Sequence, residues 1–186
     1  MSQFQLYRQP AKIDSFNPRA EKHGESNVPA GDIKITVVGH SSMLDAFSKQ
    51  LRPLLYRKPD LMGEQQPLLE GDELTALAMP NLKPLKLDED YPGYKLEISA
   101  GLDFSKPISL IDVCLSDFTF APENGGAVKL SFRASCHPDE ETAGALCQLI
   151  QETPYISLVP PAPPQVAQMS SGGEGDTLDQ QDRDAA

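Results

Sequence analysis

The run over residues 108–136, ISLIDVCLSDFTFAPENGGAVKLSFRASC, constrains the fold of this chain more than any other stretch. Val128, Leu130, Phe132 and Ala134 alternate with Lys129, Ser131, Arg133 and Ser135, the period-2 pattern of a strand with one face in a core and the other in water. Upstream, Ile111, Val113 and Leu115 share one face, and Phe118 and Phe120 share a face further on. Ser116 and Asp117 shift the phase between the two sets, which predicts a β-bulge. Between the runs lies Pro122-Glu123-Asn124-Gly125-Gly126, where Asn-Gly tolerates the positive φ that a type I′ turn demands. This hairpin predicts an antiparallel sheet as the scaffold.

The remaining segments supply further strands and two helices. Phe4, Leu6 and Ile13 predict a short first strand, limited by Pro10. Residues 17–31 are polar, rich in Gly, Pro and Asn, and read as a long loop. Ile33, Ile35 and Val37 mark a strand over 32–40. Ser42 is a good N-cap, with Asp45 three residues on, and Leu44, Phe47 and Leu51 follow at helical spacing. An amphipathic helix is therefore predicted over 43–52, ended or kinked by Pro53. Residues 74–87 offer one or two short strands broken at Pro80 and Pro84. Tyr94, Leu96 and Ile98 alternate as another half-buried strand. After the hairpin, Pro138 opens a second helix with Asp139, Glu140 and Glu141 in its first turn, and Ala143, Leu146, Cys147 and Ile150 form its apolar face. Residues 155–159 predict a closing strand.

Beyond Val159, Pro160-Pro161-Ala162-Pro163-Pro164 is a stiff spacer, followed by a segment short of large apolar residues that is expected to be disordered. The expected organisation is one folded β-rich domain over 1–159 and a Pro-rich spacer with an acidic tail over 160–186. The expected class is α+β: mainly antiparallel sheet, or a partly open OB-like barrel, with two amphipathic helices. At 186 residues the chain can bury a sizeable core. It has no apolar run of membrane-spanning length and no signal-like start, so a cytoplasmic location is expected.

Charge is unevenly placed within the net −11. Residues 1–60 hold 9 Lys and Arg against 6 Asp and Glu, a net +3, whereas residues 61–159 hold 6 against 16, a net −10. A mildly basic front on an acidic body hints at nucleic-acid contact, though acidic surfaces also serve solubility alone.

No catalytic signature stands out. Cys114, Cys136 and Cys147 with His137 match no zinc-site spacing and read as core thiols; no metal or other cofactor is expected. Gly172-Gly173-Glu174-Gly175 lacks the strand and helix of a phosphate cradle. A non-enzymatic role is expected.

The segments FNPRAEKHGESNVPAGDIK (residues 16–34) and HPDEETAGALCQLIQE (residues 137–152) resemble a family of uncharacterised proteins from tailed bacteriophages and prophages. The resemblance extends over residues 3–160 and implies a viral protein of the early replication and recombination region, acting in an infected bacterial host. Two functional readings follow. In the first, the protein binds single-stranded DNA through Arg8, Arg19, Lys22, Arg52, Arg57 and Lys58, with Tyr7 and Tyr56 as stacking platforms, and its acidic tail competes for the groove. In the second, it is an acidic protein-interaction module or inhibitor of a host or phage protein that mimics nucleic acid, with Asp88, Glu89, Asp90, Glu70, Asp72 and Glu73 as contacts.

Overall fold

The structure is a computed structural model that describes residues 4–59, 74–100 and 106–162. Its strands are β1 (Leu6–His23), β2 (Ser26–His40), β3 (Tyr56–Arg57), β4 (Ala76–Leu77), β5 (Leu85–Leu87), β6 (Tyr91–Ser99), β7 (Ile108–Glu123), β8 (Ala127–Cys136) and β9 (Tyr155–Val159). Six of them close into an antiparallel barrel in the order β1-β2-β8-β7-β6-β9 and back to β1. The barrel is thus six-stranded and closed, where an OB-type barrel has five strands and is partly open. β5 extends the sheet along β7, and β3 pairs with β4 as a separate two-stranded sheet.

Alternation builds the lumen. Ile33, Ile35 and Val37 of β2 point inward beside Val128, Leu130, Phe132 and Ala134 of β8, and all seven are essentially inaccessible to solvent. Phe4, Phe47, Phe118 and Phe132 pack ring against ring, with Phe118 and Phe132 stacked at 5.6 Å. A barrel of this size fills its interior with side chains.

The central hairpin forms as its sequence predicts, with the bulge at Ser116 and Asp117, where the register shifts and Asp117 takes φ +53°. Its turn differs in detail, since the positive φ values fall on Gly125 and Gly126, not on Asn124 and Gly125. Both glycine N–H groups donate to the Thr75 carbonyl at 3.0 Å. Ile111 departs from prediction. A second bulge, with Asp112 at φ +53°, turns Leu110 inward and leaves Ile111 on the outside, 74% exposed.

The largest correction concerns residues 17–31. They form no loop but the distal half of a long β1–β2 hairpin, turning at Gly24 with φ +65°. β9 pairs with β1 only as far as Pro10, and β8 pairs with β2 only from Gly31 onward. β1 stays bonded to the segment leading into β9 through Ala11 and Ile13, whose N–H groups donate to the Pro154 and Glu152 carbonyls at 2.9 and 3.1 Å, and from Ser15 on it pairs with β2 as a ribbon. Pro18 and Pro29 sit in this ribbon, where an outer edge has no ladder for a missing N–H to interrupt. Pro10 is accommodated beside a further bulge, with Arg8 at φ +46°.

The predicted helix over 43–52 is replaced by a 3₁₀ turn (Ser41–Ala46) and a five-residue helix α1 (Leu51–Leu55). His40, not Ser42, caps the turn, its Nδ1 accepting from the Ser42 N–H at 3.2 Å. Pro53 lies inside α1 because its missing N–H falls among the first-turn donors that have no helical partner anyway. Helix α2 (Glu140–Gln148) is capped by Asp139, which accepts from the Thr142 N–H at 2.7 Å. Leu146 of α2 is buried, but Cys147 is exposed and is no core thiol. Among the described residues, no helix is long and apolar enough to cross a membrane, and no cluster of three metal-ligating side chains occurs.

Candidate functional site

The strand registers place each proposed nucleic-acid contact. Arg19 sits on the ribbon, where its guanidinium is held by Glu21 at 2.8 Å and by Asp32. The hydrogen bond to Glu21, more than the neighbouring charge of Asp32, raises its pKa further above the ordinary guanidinium value. Lys22, close to the ribbon tip, is exposed. Arg52 lies at the other end of β2, where Nε donates to Ser41 Oγ at 3.2 Å and a terminal nitrogen stands 3.8 Å from Asp45. Arg57 and Lys58 follow on and beyond β3 and are exposed. From Asp32 to His40, the length of β2 separating these groups is about 26 Å at the usual strand rise.

The proposed cations therefore occupy two ends of the molecule and do not line one groove. Tyr56 cannot serve as a stacking platform. It is 1% exposed, and its hydroxyl donates to the Ala127 carbonyl. Burial is the main cause that pushes its phenol above the ordinary value. Of the proposed acidic contacts, Glu89 accepts from the Tyr91 hydroxyl at 2.9 Å, while Glu70, Asp72 and Glu73 lie outside the described residues.

Tyr7 and Arg8 belong to a different arrangement, on the outer face of β1, β9, β6 and β7. Leu6, Leu158, Leu96 and Leu110 stand in one inward row across these four strands. In the outward row on one side of it stand Val159, Lys95 and Ile111, and in the outward row on the other side stand Tyr7, Ser157, Glu97 and Ser109. Tyr7 is 76% exposed and Val159 48%. Three strand spacings and a two-residue offset along the strands separate Tyr7 from Ile111, about 16 Å. Charges flank the apolar side chains: Lys95 pairs with Glu97 at 2.6 Å, and the Arg8 guanidinium lies 5.2 Å from the Tyr7 ring centroid.

Both ends of this band are set by bulges. Tyr7 precedes Arg8 and Ile111 precedes Asp112, each of the second residues being left-handed. An L-residue pays roughly 1–2 kcal/mol for that conformation. The sequence reading found Tyr7 but assigned Ile111 to the core. The available signal was the adjacent apolar pair Leu110-Ile111 before Asp112, which one uninterrupted strand cannot bury on a single face.

Compared with protein-family models, with curated proteins and with solved structures, the chain matches none of them.

Proposed function

We propose that this protein is a non-catalytic interaction module that binds a protein partner through the outer face of β1, β9, β6 and β7. The observation carrying this reading is the exposure on one face of the apolar side chains of Tyr7, Val159 and Ile111, two of which, Tyr7 and Ile111, stand beside bulges that cost conformational energy. Exposed apolar side chains with a polar surround have the anatomy of a protein interface. The net −10 of residues 61–159 selects the partner's chemistry: an apolar patch rimmed by basic residues, whose approach is speeded by opposite charge. In the phage setting that the resemblance implies, such a partner is a phage or host protein.

Single-stranded DNA binding is the second reading, favoured by the exposed Tyr7 ring with Arg8 beside it, a pair suited to stacking on a base. Its weakness is the division of the cations between two ends of the barrel.

One set of variants tests both. Ile111→Asp and Tyr7→Ser alter exposed side chains, so each is expected to melt like the wild type. Each is also expected to abolish co-purification of a partner that the wild-type chain retains from host extract, with the interface confirmed by cross-linking from Lys95. Retention of the same partner by both variants overturns the reading. Tight oligo-dT binding that collapses with added salt places the nucleic-acid reading ahead instead.

A further inference from the structure

Closure of the barrel does not extend along the whole of β7. Among the described residues Ile108 to Val113 pair with β6 alone, because β8 reaches β7 only at Cys114, the partner of Ser135. The first part of β7 is therefore an open edge of the β1, β9, β6 and β7 sheet.

Hydrogen-bond alternation tells which backbone groups face that edge. The Ala11 N–H donates to the Pro154 carbonyl, which sets the phase of the β1–β9 ladder. Carried across β9 and β6 by the registers, that phase turns the N–H and C=O groups of Ile108 and Leu110 toward β6. Those of Ser109 and Ile111 point the other way, out of the sheet edge. Among the described residues neither has a backbone partner on that side. Side-chain exposure agrees. Ile111 is 74% exposed, whereas Val159, in the same outward row on a strand flanked by β1 and β6, is 48% exposed.

An unpaired edge is a template for another strand, and natural sheets block most of theirs. This chain blocks its other edges. On the β1–β2 ribbon, Pro18 and Pro29 each take out an outward N–H. At the end of the sheet, β5 is only three residues long, carries Lys86 at its centre and follows Pro84. Between Ile108 and Ile111 stand no proline and no charge. Pro107 before them and the left-handed Asp112 after them stop the ladder at both ends, so the opening admits a short segment and not a second sheet.

Two features define the occupant. Ile111 points outward at the opening, so the residue added beside it is apolar. Asp112 is exposed at one end, and residues 61–159 carry a net −10, so the flanking residues are basic. A second copy of this chain fits worse, since each copy carries net −11.

We propose that the Ile108–Ile111 edge of β7 is a strand-addition site, where a protein partner inserts an extended segment with an apolar residue beside Ile111 and basic residues at its ends. Main-chain hydrogen bonds at Ser109 and Ile111 hold the segment, and the outward side chains of the same sheet select it. This mode of binding rests on the interface proposed above.

The probe is a fluorescein-labelled peptide, Arg-Thr-Val-Thr-Val-Thr-Arg, titrated by anisotropy against the full chain at low salt. Its valines fall opposite Ser109 and Ile111 with their N–H groups toward β7, while the threonine N–H groups face away. Saturable binding is expected. N-methylation of both valines should weaken it about tenfold or more, the loss of two hydrogen bonds, and N-methylation of the central threonine should leave it unchanged. Exchange of the Ser109 and Ile111 amide protons should slow in the complex. Ser109→Pro removes an edge donor and no hydrogen bond to β6, so it is expected to melt cooperatively and to lose the peptide. Where that variant fails to fold, the two methylated peptides decide. No saturable binding at millimolar peptide overturns the proposal. So does equal binding of the valine-methylated peptide, or a wild-type dimer that Ser109→Pro dissolves. Partner capture lost in Ile111→Asp but kept in Ser109→Pro overturns strand addition and leaves the interface reading standing. Capture kept in both Ile111→Asp and Tyr7→Ser overturns that reading instead, and the slowed exchange with the peptide then stands on its own.

Discussion

Tyr56 shows how far one residue can depart from the role that its type suggests. An aromatic among basic side chains reads as a platform for bases, yet this ring is buried and its hydroxyl is used on the Ala127 carbonyl. Removing that hydroxyl leaves a carbonyl without its side-chain donor. Tyr56→Phe is expected to cost about 1–2 kcal/mol in urea unfolding, with no change in any binding activity. Glu21 is a second case, in which exposure and partners set a pH dependence. Its hydrogen bond to His137 at 3.2 Å, followed by that to Arg19, holds its carboxyl below the ordinary 4.5. A depressed folded-state pKa contributes stability that is present above the unfolded value and is lost as pH falls through the folded one. Glu21→Gln should accordingly lower the urea midpoint at pH 7 and leave it equal to the wild type near pH 3. An equal deficit at both pH values would show that the carboxylate charge is irrelevant. Neither Tyr56 nor Glu21 could be placed from sequence, because both act through partners 71 and 116 positions away.

At the scale of elements, legibility followed the period of the pattern. The hairpin of β7 and β8 was readable because the residues from Val128 to Ser135 alternate without a break and because Ser116 and Asp117 mark the bulge in the residue order itself. The β1–β2 ribbon was not, because the usual strand signals are missing from residues 17–31. Pro18, Pro29 and Gly31 are loop-formers by propensity, and a two-stranded ribbon outside the barrel needs no apolar alternation to hold it. Gly31 has a local reason that only packing reveals: the Phe16 ring lies where a β-carbon would stand, and Phe16 is buried. Gly31→Ala is therefore expected to destabilise the fold by about 1–3 kcal/mol through overpacking, although alanine is the better strand former on local grounds. Chemical denaturation measures this, and Gly24→Ala at the ribbon turn offers a contrast, since no atom lies within reach of its added methyl and its cost is the strain of φ +65° alone. The same distinction explains the candidate site. Charge runs were visible in the sequence, but the two ends of β2 that hold them apart were not.

For the molecule as a whole, closure depends on β9, which contributes five residues and joins both neighbours, β1 and β6. Without it the barrel is an open sheet with two long unpaired edges, and Ile156 and Leu158, both buried, leave the core. Large-to-small changes at buried aliphatic positions cost about 2–5 kcal/mol apiece, and loss of the strand removes two such side chains together with their ladders. A domain of this size has about 5–15 kcal/mol in total. A chain ending after Pro154 is accordingly expected to show no cooperative melt and to aggregate on size exclusion. A chain ending after Ala162 keeps β9 and the approach of Pro161 to Gly93, so its melt should match that of the full protein.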